Sequence, residues 1–127
     1  MTTPHQNITT ARQLLLWNSK NLISSADLQK SDIGLFFAPQ FRVKANGKDI
    51  EGNHDNYFDF LNFFRATIKS IDYILEEFIV DEDHVVIPLI ANIIRTNDGH
   101  EKFTAILILK FDENGKIILW QEVYIAI

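Results

Sequence analysis

From residue 72 onwards the chain consists of four long segments of β type joined by very short turns. The segments are Asp72 to Val80, His84 to Thr96, Glu101 to Phe111 and Lys116 to Ile125. Connections of hairpin length predict that consecutive strands pair antiparallel. Pro88 lies inside the second segment, and because proline cannot donate to a ladder, we expect a bulge or a bend there. These features predict a strongly curved sheet.

Helical patterns occupy most of the chain before this sheet. Thr10 and Gln13 have the spacing of a capping box for a helix that ends near Ser24. A second, short helix is expected to begin at Ser25 or Asp27, and the restriction that Pro39 places on its neighbour ends it.

A hairpin and a third helix follow. Asn46-Gly47 tolerates positive φ and predicts a tight turn between strands 41–45 and 48–51. Asn53 or Asp55 can cap the third helix. Its apolar side chains recur at helical spacing over Tyr57, Leu61, Phe64 and Ile68. Further phenylalanines widen this face, so the helix is expected to border both a core and a cavity.

Composition narrows the classes of function. The length of 127 residues and the hydrophobic content of 46% indicate one globular domain over residues 1–127. With no cysteine and no signal-like N-terminus, we expect a cytoplasmic protein that does not enter a membrane. A net charge of -5 with scattered cations disfavours nucleic acid. The four histidines lack metal-binding spacing and no phosphate-binding loop occurs, so neither a metal nor a cofactor is expected.

The last turn predicts which side chains share a face of the sheet. If residues 113–115 form a three-residue loop with Gly115 left-handed, Asp112 lies opposite Lys116. Continuing this register pairs Ile108 with Trp120, Ile106 with Glu122 and Thr104 with Tyr124. We expect this set to face the cavity, together with Trp17, Tyr57, Phe60, Phe64 and Asn92.

The alternate positions of the same strand form a second apolar face. They are Phe103, Ala105, Leu107, Leu109 and Phe111. Because large exposed apolar patches are uncommon on monomers, this outer face predicts a homodimer. The alternative is that these residues belong to the core of a single chain.

The order of elements, with Phe37-Ala38-Pro39-Gln40-Phe41, Asn46 to Gly52, and Gly115 to Tyr124, resembles the nuclear transport factor 2-like superfamily. The likeness is greatest to its SnoaL-like branch, which includes relatives of ketosteroid isomerase and limonene epoxide hydrolase. The resemblance implies a cone-shaped α+β barrel with three helices in the N-terminal half and a curved mixed or antiparallel sheet. It also implies an apolar pocket and dimers formed through the sheet.

The resemblance carries over to site residues only in part. The epoxide hydrolases have Trp-x-Asp-x-Phe on the last strand, and the matching positions are Trp120, Glu122 and Tyr124. Their Arg-x-Asp pair matches Ile90 and Asn92, so the second carboxylate is missing. The isomerases need an aspartate on the early hairpin, and strand 41–45 has none. Neither reaction is therefore expected here.

Glu122 is the best candidate for a catalytic base or a polar anchor, because aromatic walls raise the pKa of a carboxyl group. The alternative is a partly hydrated or arginine-paired glutamate. The leading hypothesis is a protein that binds a small apolar molecule, with weak acid-base chemistry at Glu122. The alternatives are an isomerase, cyclase or hydratase acting on a polyketide-like or terpenoid molecule, and a non-catalytic protein-interaction module.

Overall fold

The computed structural model describes residues 3–127, so the first two residues of the predicted domain lie outside the description. This range folds into three helices packed on one seven-stranded mixed sheet, which confirms the predicted α+β class. The edge strands β2 and β3 do not pair with each other, so the sheet is open and does not form a closed barrel. The helices are α1 (Pro4–Asn21), α2 (Ile33–Phe36) and α3 (His54–Arg65). The strands are β1 (Phe37–Ala45), β2 (Lys48–Asn53), β3 (Ile68–Leu75), β4 (Ile79–Asp81), β5 (His84–Arg95), β6 (His100–Phe111) and β7 (Ile117–Ala126).

Helix α1 begins seven residues before the predicted start. The capping box is formed by Thr3 and Gln6, whose side chains each accept a hydrogen bond from the other residue's backbone N–H, at 3.2 and 2.8 Å. Pro4 in the first turn favours this start, because its fixed φ suits the helix and it has no N–H to satisfy. Thr10 instead donates its hydroxyl to the Gln6 carbonyl inside the helix. The predicted cap at Thr10 is therefore wrong.

The other two helices are shorter than predicted. The second is reduced to a 3-10 turn and the single turn of α2, because Phe37 already lies in β1. Helix α3 is capped by Asn53, one of the two predicted caps. It ends at Arg65, and Ile68 begins β3 instead of continuing the apolar face of the helix.

The strand order in the sheet is β2-β1-β7-β6-β5-β3, with β4 pairing with β5 beyond the end of β3. The pairing of β1 with β7 is parallel, and all other pairs are antiparallel. The predicted turn at Asn46-Gly47 is confirmed, with φ of 47° and 87°. Pro88 causes no shift in the pairing of β5 with β6. On the opposite edge of β5 the partner strand changes near Pro88, because Leu75 of β3 pairs with Leu89 and Ile79 of β4 pairs with Val86.

A β-bulge reverses the predicted faces of β6. The turn forms as expected, with Gly115 at φ 77° and the Asp112 N–H donating to the Lys116 carbonyl at 2.8 Å. Phe111 then pairs with Ile117, but the next pair is Lys110 with Leu119, so Ile118 is an extra residue in β7. Because side chains alternate along a strand, one extra residue moves every later partner to the other face. The predicted pairing of Ile108 with Trp120 is therefore wrong.

The observed partners give each face a new set of residues. Trp120 pairs with Leu109, Glu122 with Leu107, and Tyr124 with Ala105, all facing the helices. The outer face instead carries three strongly exposed aliphatic side chains: Ile106, Val123 and Ile125, at 51%, 63% and 65% exposure. The sheet therefore has two apolar faces, as predicted, with the two sets of β6 residues exchanged.

The core fills only part of the space under the sheet. Leu14 of α1 and Ile87, Leu107, Leu109 and Phe111 of the sheet are almost fully buried. The four sheet residues lie in the half of β5 and β6 that is distant from the β5–β6 turn. Nearer to that turn the inward positions include two small residues, Ala91 and Ala105, which line the space beneath α3.

Candidate functional site

A cavity of about 360 Å³ lies between α3 and the concave face of the sheet. Most of its wall is aliphatic or aromatic, and a few polar side chains interrupt it. The wall consists of Asn18, Leu22, Val43, Ala45, Tyr57, Phe60, Leu61, Phe64, Ile71, Tyr73, Ala91, Ile93, Arg95, Phe103, Ala105, Trp120, Glu122 and Tyr124. A concave, mostly apolar site with a few polar groups is typical of small-molecule binding sites, and its volume lies at the lower end of their range.

Three aromatic rings of α3 form one side of the cavity. Tyr57 stacks on Phe60 with 6.0 Å between ring centroids, and Phe60 stacks on Phe64 at 6.1 Å. Their spacing of three and four residues places them on one face of the helix. Phe41 packs edge-on against Tyr57 at 5.2 Å. A Cβ atom at Gly52 would lie 2.5 Å from the Phe41 ring, so the close approach of β2 requires glycine.

Glu122 is the sole carboxylate among the described residues that line the cavity. Burial raises the pKa of its carboxyl group, and a hydrogen bond from the Trp120 side chain partly opposes the shift. Burial also raises the pKa of both Tyr57 and Tyr73, and the negative charge of Glu122 adds to each shift. Burial thus shifts all three groups in the direction of their neutral forms, and the Glu122 charge adds to the shift at both phenols.

Two further polar groups lie in the cavity wall, the Asn18 amide and the Tyr57 hydroxyl. Asn18 of α1 is 6% exposed, and its amide donates to the Tyr73 hydroxyl at 3.4 Å. The Tyr57 hydroxyl makes no hydrogen bond to any residue between 3 and 127. A phenol without a partner in the cavity is available to a ligand or to water.

Asn46 fixes the strand that carries Glu122 and Tyr124. Its backbone N–H donates to the Glu122 carbonyl at 3.0 Å. Its side-chain amide donates to the Tyr124 carbonyl at 3.1 Å and accepts from the Tyr124 N–H at 2.9 Å. The Asn46 side chain thus continues the hydrogen bonding between β1 and β7 by one more residue. The orientation of Glu122 and Tyr124 therefore depends on Asn46, a residue of the β1–β2 turn.

The structure brings six of the predicted site residues together at the cavity: Tyr57, Phe60, Phe64, Trp120, Glu122 and Tyr124. Thr104, Ile106 and Ile108 do not line the cavity, because the bulge at Ile118 places them on the outer face.

The two remaining predictions of cavity residues are also wrong. Asn92 pairs with Asp72 and Lys102 on the outer face, out of phase with the buried residues of β5. Trp17 points away from the cavity, packs against Phe36 and donates its indole N–H to Asp32 at 3.1 Å.

Sequence reasoning missed the polar groups contributed by α1, β3 and β5, which are Asn18, Tyr73 and Arg95. On β5 the inward positions are Ala91, Ile93 and Arg95, so Ile90 and Asn92 are not the positions that face the cavity. The signal was present, because Val85, Ile87 and Leu89 continue in steps of two to Arg95.

The described part of the chain contains no group of three side chains suited to hold a metal ion. None of the helices within residues 3–127 combines the length and the apolar character needed to cross a membrane.

Neither a protein-family model nor a curated protein sequence matches this chain. Solved structures do match it. A protein assigned as a SnoaL-like polyketide cyclase from Jannaschia sp. CCS1 superimposes with a TM-score of 0.71 at 14% identity, over 99% of this chain and 90% of that one. An LEH-like epoxide hydrolase from M. tuberculosis has a TM-score of 0.73 at 13% identity, over 96% and 84% of the chains. An NTF2-like protein of unknown function from Burkholderia pseudomallei K96243 has a TM-score of 0.71 at 16% identity, over 96% and 90%. What these proteins share with this chain is the fold.

Proposed function

We propose that this chain, which has the fold of the SnoaL-like branch of the nuclear transport factor 2-like superfamily, binds a small apolar molecule in its cavity. The observation that carries the proposal is the cavity itself, an apolar space of about 360 Å³ beneath α3. Burial of a ligand there removes apolar surface from water, which is the main source of affinity in such sites.

The polar groups favour binding over the two-carboxylate hydrolysis that the epoxide hydrolases use. That chemistry needs an acid and a base with pKa values pushed apart, and Glu122 has no carboxylate partner among the cavity residues. The Glu122 carboxyl group and the Tyr57 hydroxyl instead provide hydrogen-bonding groups for a carbonyl or hydroxyl group of the ligand.

Filling the cavity tests the proposal. Ala91→Trp places an indole in the cavity and is expected to weaken binding of the neutral fluorescent dye N-phenyl-1-naphthylamine by about 100-fold or more, because no room remains for the dye. Dye titration followed by fluorescence measures this change. The matched control is Asn92→Trp, which adds the same ring to the outer face of β5 and is expected to leave the affinity within about twofold. Equal effects of the two variants would contradict binding in the cavity.

A second candidate function is an isomerase, cyclase or hydratase that acts on a polyketide-like or terpenoid molecule. The observation in its favour is the raised pKa of Glu122 next to the tyrosine hydroxyls, an arrangement suited to proton abstraction beside a carbonyl group.

This candidate makes a separate prediction. The protein should catalyse exchange of the α-protons of 2-tetralone with D₂O, followed by NMR. Since the base form of Glu122 is required, the rate should rise with pH through a pKa above that of an ordinary glutamate. Glu122→Gln should lower it at least about 100-fold, while dye affinity stays within about twofold. A rate equal to that of buffer alone would leave the binding function only.

We also propose that a second copy of the chain covers the outer face of the sheet. The support is the exposed aliphatic row formed by Ile106, Val123 and Ile125, with Ile108 and Ile90 beside it. Exposed apolar patches mark association sites, and in a two-fold homodimer the same patch of both copies would form the interface. The alternative occupant is an unrelated protein, in which case the face serves as an interaction module.

A further inference from the structure

Among the described residues that line the cavity, one side chain is cationic, that of Arg95 at the end of β5. Glu122 pairs with Leu107, which pairs with Ile87, and Arg95 lies eight residues further along β5. Eight residues span at most ~26 Å along a strand, and the twist of the sheet shortens this. Arg95 and Glu122 therefore occupy different positions along the length of the sheet.

Arg95 is held in place by two hydrogen bonds that use only part of its capacity. Its Nε donates to Glu101 at 2.6 Å and its Nη1 donates to Thr67 at 3.1 Å. A guanidinium has five N–H donors, so these two bonds leave three. None of the three is paired with a residue in the described chain. The side chain is 28% exposed, so it lies at the mouth of the cavity and borders both water and the apolar wall.

The surroundings of Arg95 define what it could recognise. The next inward positions of the two strands deeper in the cavity are Ile93 on β5 and Phe103 on β6, both apolar. An immobilised guanidinium with free donors binds planar anionic groups such as a carboxylate, through charge-assisted hydrogen bonds. An anion at the mouth also keeps part of its hydration, which lowers the cost of desolvation.

From these observations, we infer that the ligand is an amphipathic organic acid, with its anionic group on Arg95 at the mouth and its apolar body in the cavity. This inference rests on the proposed function and adds the chemical class of the ligand. Glu101 orients Arg95 and at the same time reduces the attraction of its charge for an anion.

Two dyes with the same ring system test the inference. N-phenyl-1-naphthylamine is neutral, and 8-anilinonaphthalene-1-sulfonate carries an added sulfonate, an anionic group like the carboxylate. Arg95→Met is expected to weaken binding of the sulfonate dye by about tenfold or more and to leave the neutral dye within about twofold. Glu101→Gln is expected to tighten the sulfonate dye by about threefold, a gain that damage to the fold would not produce. Signal that survives in Ala91→Trp reports dye outside the cavity and is subtracted.

The outcomes separate the two proposals. If the neutral dye binds in the cavity but Arg95→Met and Glu101→Gln change both dyes equally, the inference about the acid is overturned and the apolar cavity stands. If neither dye shows binding that Ala91→Trp removes, both proposals are overturned.

Discussion

Leu107→Ala is expected to lower the free energy of unfolding by about 2–5 kcal/mol, because it opens a cavity at a fully buried position of the core. The adjacent Ile106→Ala is expected to cost less than about 1 kcal/mol, since Ile106 is half exposed on the outer face. Urea denaturation of both variants measures the difference, at a protein concentration low enough that association does not contribute.

This pair of variants tests the bulge at Ile118 directly. Without the bulge, Ile106 would pair with Glu122 beneath the helices, and Leu107 would lie on the outer face. A larger loss of stability for Ile106→Ala than for Leu107→Ala would therefore contradict the observed register.

The second large effect concerns association. The wild-type chain of 14.7 kDa is expected to behave as a dimer in light scattering coupled to size-exclusion chromatography. Ile106 and Val123 are cross-strand partners on the outer face. Replacing both by lysine puts two like charges in an apolar contact, and is expected to raise the dissociation constant of the dimer by about 100-fold or more.

The matched control for association is Leu16→Lys, on the exposed side of α1, at 61% exposure. This variant is expected to stay dimeric, because its lysine is added on the exposed side of α1 and not on the outer face of the sheet. A monomeric wild type, or a double variant that still dimerises, would contradict the proposed interface and favour a different partner for this face.

The parts of the fold that local patterns determine were predictable from the sequence. The turn at residues 113–115 formed as expected, because Gly115 suits the left-handed conformation and the loop length fixes the first pairs. The cavity wall on α3 followed from the spacing of Tyr57, Phe60 and Phe64. Each of these features depends on residues close together in the chain.

The register beyond the turn depends on packing across the whole sheet. Ile118 carries no local signal for a bulge, since an isoleucine suits a regular strand equally well. Its extra residue brings Trp120, Glu122 and Tyr124 to the cavity while Leu107 and Leu109 stay in the core. The shared face of Ala91 and Arg95 follows from the alternation of Val85, Ile87 and Leu89, but Val86, Pro88 and Ile90 are also apolar, so both faces of β5 gave a similar signal.

The position of β7 in the sheet has a consequence for how the chain reaches its native state during synthesis. This strand leaves the ribosome after all the others, yet it lies between β1 and β6. Before β7 has been synthesised, the β2-β1 hairpin and the β6-β5-β3 group have no strand to join them. Strands β1 and β6 are then unpaired on one side and are open to pairing with other nascent chains. We therefore expect the sheet to be completed by a long-range insertion after translation of residues 117–126, a step slower than the formation of local hairpins. The strand that carries Glu122 also closes the sheet, so the site and the continuous sheet are formed in the same event.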